Sequence, residues 1–164
     1  GVEAYKVADL LADEGVCAAL WADWWGFKHE AYDMTIANIA IVDQARSGTG
    51  CAIVHSDSAS GIQRLNQEAA KALAAGRKAG FDISEGRAMT WITKNPAKSL
   101  GILDKTGTLE QGKDADIVIW SGNPFSVYSK AEKVFINGAL AFDKATNFMP
   151  HTDFDIGVKE WEDK

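Results

Sequence analysis

The chain has 164 residues, of which 46% are hydrophobic and 24% charged, with a formal net charge of −6 and a pI near 5.0; this is the make-up of an ordinary globular protein able to bury a core. Its basic residues are scattered rather than gathered into a stripe or tail, which with the acidic balance excludes a nucleic-acid surface. No stretch reaches the roughly 18 apolar residues that a membrane span needs, and GVEAYK does not read as a signal-peptide start, so a soluble protein is expected.

Helical spacing begins at once, at Val2, Tyr5, Ala8 and Leu11, with no N-cap before it, as though the chain started inside a larger fold. VEAYKVADLLADEG predicts an amphipathic helix closed by Gly15, and VCAALWAD a strand. An aromatic loop, WWGFKHEAYD, leads to a segment from Met34 to Arg46 that carries Ile36, Ile39, Ala40 and Val42 and stops at Ser47, Gly48 and Gly50. CAIVHSD predicts a second strand, and GIQRLNQEAAKALAAGRKAG a long helix whose Ile62, Leu65, Ala69, Leu73 and Gly76 share one face. The order α-β-α-β-α, with strands apolar on both faces, is the pattern of a parallel sheet covered by helices. Cys17 and Cys51 lie inside short apolar runs and read as small buried hydrophobes rather than as a disulfide or a metal site.

ISEGRAMTWITKNPAKSLG predicts two short helices, the second with Asn95 as N-cap, Pro96 at the first helical position and an end at Gly101. The character then turns to β. A Gly112-Lys113-Asp114 turn precedes a strand over Ala115 to Trp120, and KVFINGALAFD predicts a hairpin around Asn137-Gly138. From Lys144 the chain is polar and acidic with Pro150, and an extended or partly disordered tail is expected. There is no internal repeat.

The chemistry gathers at the end of CAIVHSD. Alternation places Ile53, His55 and Asp57 on one face and Ala52, Val54 and Ser56 on the other. In parallel α/β folds the carboxyl ends of strands are where ligands bind. An aspartate there can ligate a divalent metal and take a proton from water, and a histidine can be a ligand or a hydrogen-bond partner. Pattern alone also allows Asp57 to be a helix N-cap and His55 to be structural. A metal site needs three or four ligands, and the other histidines, His29 and His151, show no ligand spacing.

The run CAIVHSDSASGIQRLNQEAAKALAAGRKAG, then AMTWITKNPAKSLGI, TGTLEQGKDADIVIWSGNPF and KVFINGALAFD, resembles the carboxyl-terminal part of the amidohydrolase superfamily, in its imidazolonepropionase-like branch, up to about Asp143. The resemblance implies an α/β fold: a (β/α)8 barrel with a small β-sandwich beside it, here represented by strands seven (CAALWAD) and eight (CAIVHSD) with their helices. It divides the chain into a barrel part over 1–101, sandwich strands over 102–143 and a tail over 144–164. It also implies a metal-dependent hydrolase, most simply with one or two zinc ions. In such enzymes an HxH pair comes from the first strand, a bridging group and two histidines come from middle strands, and an aspartate ends strand eight. Asp57 matches that aspartate, as metal ligand and as the group that takes the proton of water and passes it to the leaving amine. His55 is not one of the family's ligands and is expected to be a pocket wall or a hydrogen-bond partner.

The rest of the family's ligand set is missing from these residues, and a barrel takes roughly 250 residues. The chain is therefore expected to begin just after strand six, to lie against an amino-terminal remainder supplied as a separate or missing segment, to be inactive alone, and to associate through exposed barrel edges, as a homo-oligomer. Trp24, Trp25, Phe27 and His29 follow strand seven; the tryptophans are candidates for a substrate wall, with packing as the alternative. His55 and Ser58 are further substrate-binding candidates, while Arg64 reads as either a carboxylate anchor or a helix decoration. Three functions stand in view: a hydrolase of C–N bonds in cyclic amides or small peptides, a dipeptidase of the same fold that includes cleavage at proline, and a non-catalytic interaction module. Cytoplasm and periplasm remain equally open.

Overall fold

A computed structural model describes residues 1–146. A 3-10 turn over Ala4–Val7 runs into helix α1, Ala8–Asp13. Gly15 at φ +65° ends it: the Val16 N–H donates to the Leu11 carbonyl and that of Gly15 to Ala12, so the last carbonyls are used and the chain turns into strand β1, Cys17–Leu20. Helix α2, Asn38–Gly48, breaks its helical backbone at Ala45, Arg46 and Ser47 before strand β2, Cys51–Val54. A 3-10 turn over Gly61–Arg64 precedes the long helix α3, Leu65–Lys78, and then come the short helices α4, Glu85–Thr90, and α5, Lys94–Ser99. The α-β-α-β-α order expected from periodicity is the order found.

β1 and β2 pair in parallel, with Cys17 opposite Cys51 and Leu20 opposite Val54. Ala18 and Leu20 of β1 and Ala52 and Val54 of β2 face the helices, where they meet Ile39, Ala40 and Val42 of α2, Ala69, Ala72 and Leu73 of α3, and Ile83, Ala88 and Trp91. Helices α2 and α3 approach closely at Gly76, where a Cβ would lie 2.6 Å from that of Ala40. Asp43 sits in this core, fully buried. The Arg87 Nε donates to its carboxylate at 2.9 Å, the Trp91 Nε1 donates at 2.8 Å, and Arg87 Nη2 donates to the carbonyls of Gly48 and Gly50. A buried charge is tolerable only when it is paired and its lone pairs are used; here the pairing also fastens α4 to the end of α2.

Two expectations are corrected. Cys17 and Cys51 are joined as a disulfide, with Cα atoms 4.5 Å apart. Each falls within an apolar run, but the parallel register puts them side by side, with both side chains on the sheet face turned away from the helices. The 34 residues between them hid that proximity. Asn95 is not the N-cap of α5. Thr93 occupies that place, and Asn95 lies inside the helix with its side-chain amide donating to the Ala52 carbonyl at 2.7 Å. With the Val54 N–H donating to the Trp91 carbonyl, two backbone groups on the β2 edge remote from β1 have partners outside the sheet.

Strands β3, Ile117–Trp120, β4, Ala131–Ile136, and β5, Ala139–Asp143, form an antiparallel sheet in that order. The β4–β5 hairpin turns through Asn137 and Gly138 at φ +50° and +78°, the two left-handed residues that a two-residue turn of this hand demands. Asp116 supports the turn by accepting from the Asn137 N–H and the Thr106 hydroxyl, which hold its carboxyl below the usual range. Among the described residues no second sheet packs on this one. The stretch expected to be a tail, including Pro150 and His151, lies mostly outside the described residues.

Candidate active site

Alternation along β2 continues past its end. Ala52, Val54 and Ser56 are buried, Ile53 and His55 are half-buried, and Asp57 is exposed. The His55 N–H still donates to the Leu20 carbonyl at 3.1 Å, so the backbone is fixed up to that residue. Asp57 then adopts φ +49°, the left-handed region that aspartate tolerates better than most side chains and that recurs at functional strand ends. A tight serine turn holds it there. The Ser58 N–H donates to Ser56 Oγ and that hydroxyl donates to the Ser58 carbonyl, while Gly61 N–H donates to Ser58 Oγ. Among the described residues nothing donates to the Asp57 carboxylate, which lines a cavity of about 410 Å³ with His55, Ser56, Ser58, Ile62 and Leu65.

The other wall comes from the loop after β1. Trp21 lies on the same sheet face as His55, and the two rings are in contact, tilted by 32° with centroids 5.6 Å apart. Trp24 stacks on Trp21 at 5.6 Å, and Phe27 meets both edge-on at 5.0 and 5.3 Å. The Lys28 ammonium lies over the Trp21 and Phe27 rings. Lys71 of α3, paired to Asp23 at 2.9 Å, ties down the start of this loop. Burial holds the His55 imidazole below its ordinary pKa of 6.5, and Asp57 opposes that shift. The ring is thereby favoured as a neutral donor and acceptor.

Of the residues singled out from sequence, Asp57, His55 and Ser58 share one cavity, and Trp24 reaches it through Trp21 and His55. Trp25 belongs elsewhere: its Nε1 donates to the Tyr32 carbonyl and its ring packs on Tyr32. Arg64 is exposed, in the turn leading to α3. Trp21 was overlooked. The period-two alternation Cys17, Ala19, Trp21 already set it on the face that carries His55. Among the described residues no group of three or more His, Cys, Asp or Glu side chains is placed to hold a metal ion, so Asp57 can supply one ligand and no more.

The model of the amidohydrolase family matches residues 33–147. An imidazolonepropionase from Thermoplasma volcanium is 43% identical over 67 residues, 37% of this chain and 17% of that protein. Amidohydrolase tasK of Hapsidospora irregularis is 32% identical over 126 residues, covering 76% of this chain and 12% of the relative. Among solved structures, an amidohydrolase from Thermotoga maritima superposes with TM-score 0.73 at 32% identity, over 88% of this chain and 36% of that one. A zinc-bound adenosine deaminase from Xanthomonas campestris superposes with TM-score 0.66 at 15% identity over 96% and 39%, a likeness of fold alone. The chain thus spans under a fifth of these curated relatives and under two fifths of these solved chains. With the match running through the serine turn, the helices and the β3–β5 sheet, the chain belongs to the amidohydrolase family, on its imidazolonepropionase-like side.

Proposed function

We propose that this chain is the carboxyl-terminal part of a hydrolase of C–N bonds, with β1 and β2 as strands seven and eight of a (β/α)8 barrel, β3–β5 as part of a sandwich beside it, and 1–101, 102–143 and 144–164 as its three segments. The observation that carries this reading is Asp57, an exposed carboxylate in a left-handed conformation just past a buried parallel strand, held by a serine turn and free of any donor among the described residues. An accessible carboxylate with no internal partner, on so rigid a mount, is free to take a ligand or a proton.

In this reading Asp57 binds a divalent metal, most simply zinc, whose other ligands come from residues outside these 164. The metal's contribution is to make water nucleophilic at neutral pH and to polarise the amide carbonyl. Asp57 takes the proton of water as the water oxygen adds to the amide carbon, and then gives that proton to the nitrogen as the carbonyl re-forms and the C–N bond breaks. His55 and Ser58 line the substrate side of the cavity, and the Trp21–Trp24–Phe27 cluster walls it. The half-buried Ile53 and exposed Ala19, on the sheet face away from the helices, support a packing surface there for the amino-terminal remainder of the barrel. Without that remainder the chain has one metal ligand and is inactive.

The test is zinc binding and amine release by the complete enzyme on cyclic amides and dipeptides, with Asp57→Asn as the variant, since asparagine also tolerates the left-handed backbone. A fall in kcat of about a thousandfold with retained folding is expected. Hydrolysis unchanged by Asp57→Asn would end this assignment.

A further inference from the structure

The chain has two cysteines, and the parallel register of β1 and β2 uses both in one bond. Cys17 and Cys51 are the first residues of their strands and stand directly opposite each other, on the face turned away from the helices. Their Cα atoms lie 4.5 Å apart, within the span that a disulfide bridges without backbone movement. The next pair on that face is Ala19 opposite Ile53, and neither side chain offers a charge, a base or a metal ligand. A reactive cysteine needs exposure and a cation, a base or a helix N-terminus to hold its thiolate. Cys51 is instead 4% exposed, at the start of a buried strand, and among the described residues no cluster of His, Cys, Asp or Glu is placed to hold a metal. The chemistry open to each sulfur is bonding to the other.

A redox switch requires a second packing for the reduced state to adopt. Here β1 and β2 also keep their register by burial, since Leu20, Ala52 and Val54 are at most 2% exposed beneath α2 and α3. Opening the bond therefore leaves two thiols where they stood. No third cysteine exists in these residues to take up either sulfur, so exchange within the chain has no other product. What the bond changes is the unfolded chain, in which it closes a loop between residues 34 apart. Cross-links of this kind form and persist in oxidising compartments, whereas the thiol buffers of a cytoplasm keep such pairs reduced.

We propose that the Cys17–Cys51 bond is a permanent cross-link acquired by exchange with a disulfide-carrying oxidant, and that the protein folds and acts in an oxidising compartment outside the cytoplasm. The thiolate of the half-buried Cys17 attacks the carrier's disulfide, forming a mixed disulfide and releasing one carrier thiolate. The Cys51 thiolate then attacks Cys17 Sγ and releases the second. Two electrons pass to the carrier, which leaves as a dithiol holding the two protons that the chain's thiols gave up. The hydrolase reading does not enter this inference, because neither cysteine belongs to the Asp57 cavity.

The experiment treats intact cells of the organism that makes the complete protein with N-ethylmaleimide, separates cytoplasmic from extracytoplasmic fractions, and digests each without reduction for mass spectrometry. Peptides joined through Cys17 and Cys51 should outnumber the alkylated pair at least about tenfold, in the extracytoplasmic fraction. Alkylation of both cysteines, or a cross-linked protein confined to the cytoplasm, would overturn the proposal. A second arm produces the complete protein in a bacterial host with and without an export signal. Exported protein should survive a protease about a hundredfold longer than the reduced cytoplasmic product, as expected when the unfolded state loses its cross-link. Exported protein carrying Cys17→Ser and Cys51→Ser together should lose that advantage; if it fails to fold, thiol trapping in the source cells still decides. Equal protease survival of exported native protein and double variant would show that the bond is not what the oxidising compartment supplies, and would end the assignment.

Discussion

Leu20, Ala52 and Val54 of the parallel pair are at most 2% exposed, whereas Val118, Ile119, Ile136 and Leu140 of the antiparallel sheet keep between 43% and 54% of their surface. The two sheets are held by different forces. β1 and β2 are only four residues each, yet they sit under α2, α3 and α4 and are joined by a disulfide, so their stability comes from shared burial and a covalent strap. β3–β5 rely on their own ladders and on the Asn137-Gly138 turn, with apolar side chains uncovered on a sheet that a partner layer would bury. The catalytic candidate stands on the first kind of support, which is where a site needing fixed geometry is best placed.

If that contrast is right, damage to the helix-covered part should be large and cooperative, and damage to the antiparallel sheet small and local. The largest effect is expected for Asp43→Ala, which strands the Arg87 guanidinium and the Trp91 N–H in the core and should cost about 3–5 kcal/mol. Chemical denaturation followed by tryptophan fluorescence measures it, and a loss below about 1 kcal/mol would mean that the pair contributes no more than a surface bridge. Next comes the strap. Chain produced under oxidising conditions should show no free thiol when unfolded and two after reduction. Reduction should remove about 3 kcal/mol, because the bond closes a long loop in the unfolded state. Two thiols titrating before reduction would leave the parallel pair held by burial alone.

Gly138→Ala should cost only about 1 kcal/mol, since alanine is strained at φ +78° while its Cβ would meet only that of Ala115, at an ordinary contact distance of 3.9 Å. Hydrogen exchange should quicken in β4 and β5 and stay unchanged at the Val54 amide; a uniform loss of protection would show that the two sheets unfold together. The smallest effect concerns His55. Its folded pKa lies below the ordinary 6.5 through burial, opposed by Asp57, so the unfolded chain binds the proton more readily. Stability should be fully present above about pH 6.5 and decline as pH falls from there towards the lowered value. Melting curves of the native chain and of His55→Asn across that window should diverge on the acid side, and parallel curves would remove the contribution.

Much of the framework was legible before any coordinates. The spacing of Leu65, Ala69, Leu73 and Gly76 marked α3, Asn137-Gly138 marked the hairpin, and the alternation of Ala52, Val54 and Ser56 against Ile53, His55 and Asp57 assigned the two faces of β2. These signals are local, because periodicity and turn chemistry act over a few residues. What escaped was long-range. Cys17 and Cys51 read as two separate apolar residues, Asn95 as a cap rather than the partner of Ala52, and Trp21 as the end of a strand rather than the ring on which His55 rests.

By itself the sequence determined the order of helices and strands, the hairpin turn, the family resemblance and the position of Asp57 at a strand's carboxyl end, since each is written in neighbouring side chains. Only the tertiary structure decided the parallel register, and the register decides the rest. It sets Cys17 against Cys51 and brings the Trp21 ring against His55, while the packing of the helices leaves Asp43 buried between Arg87 and Trp91. Contacts between residues 34 to 48 positions apart depend on how whole elements pack, and no window of sequence short enough to read as a pattern contains both partners.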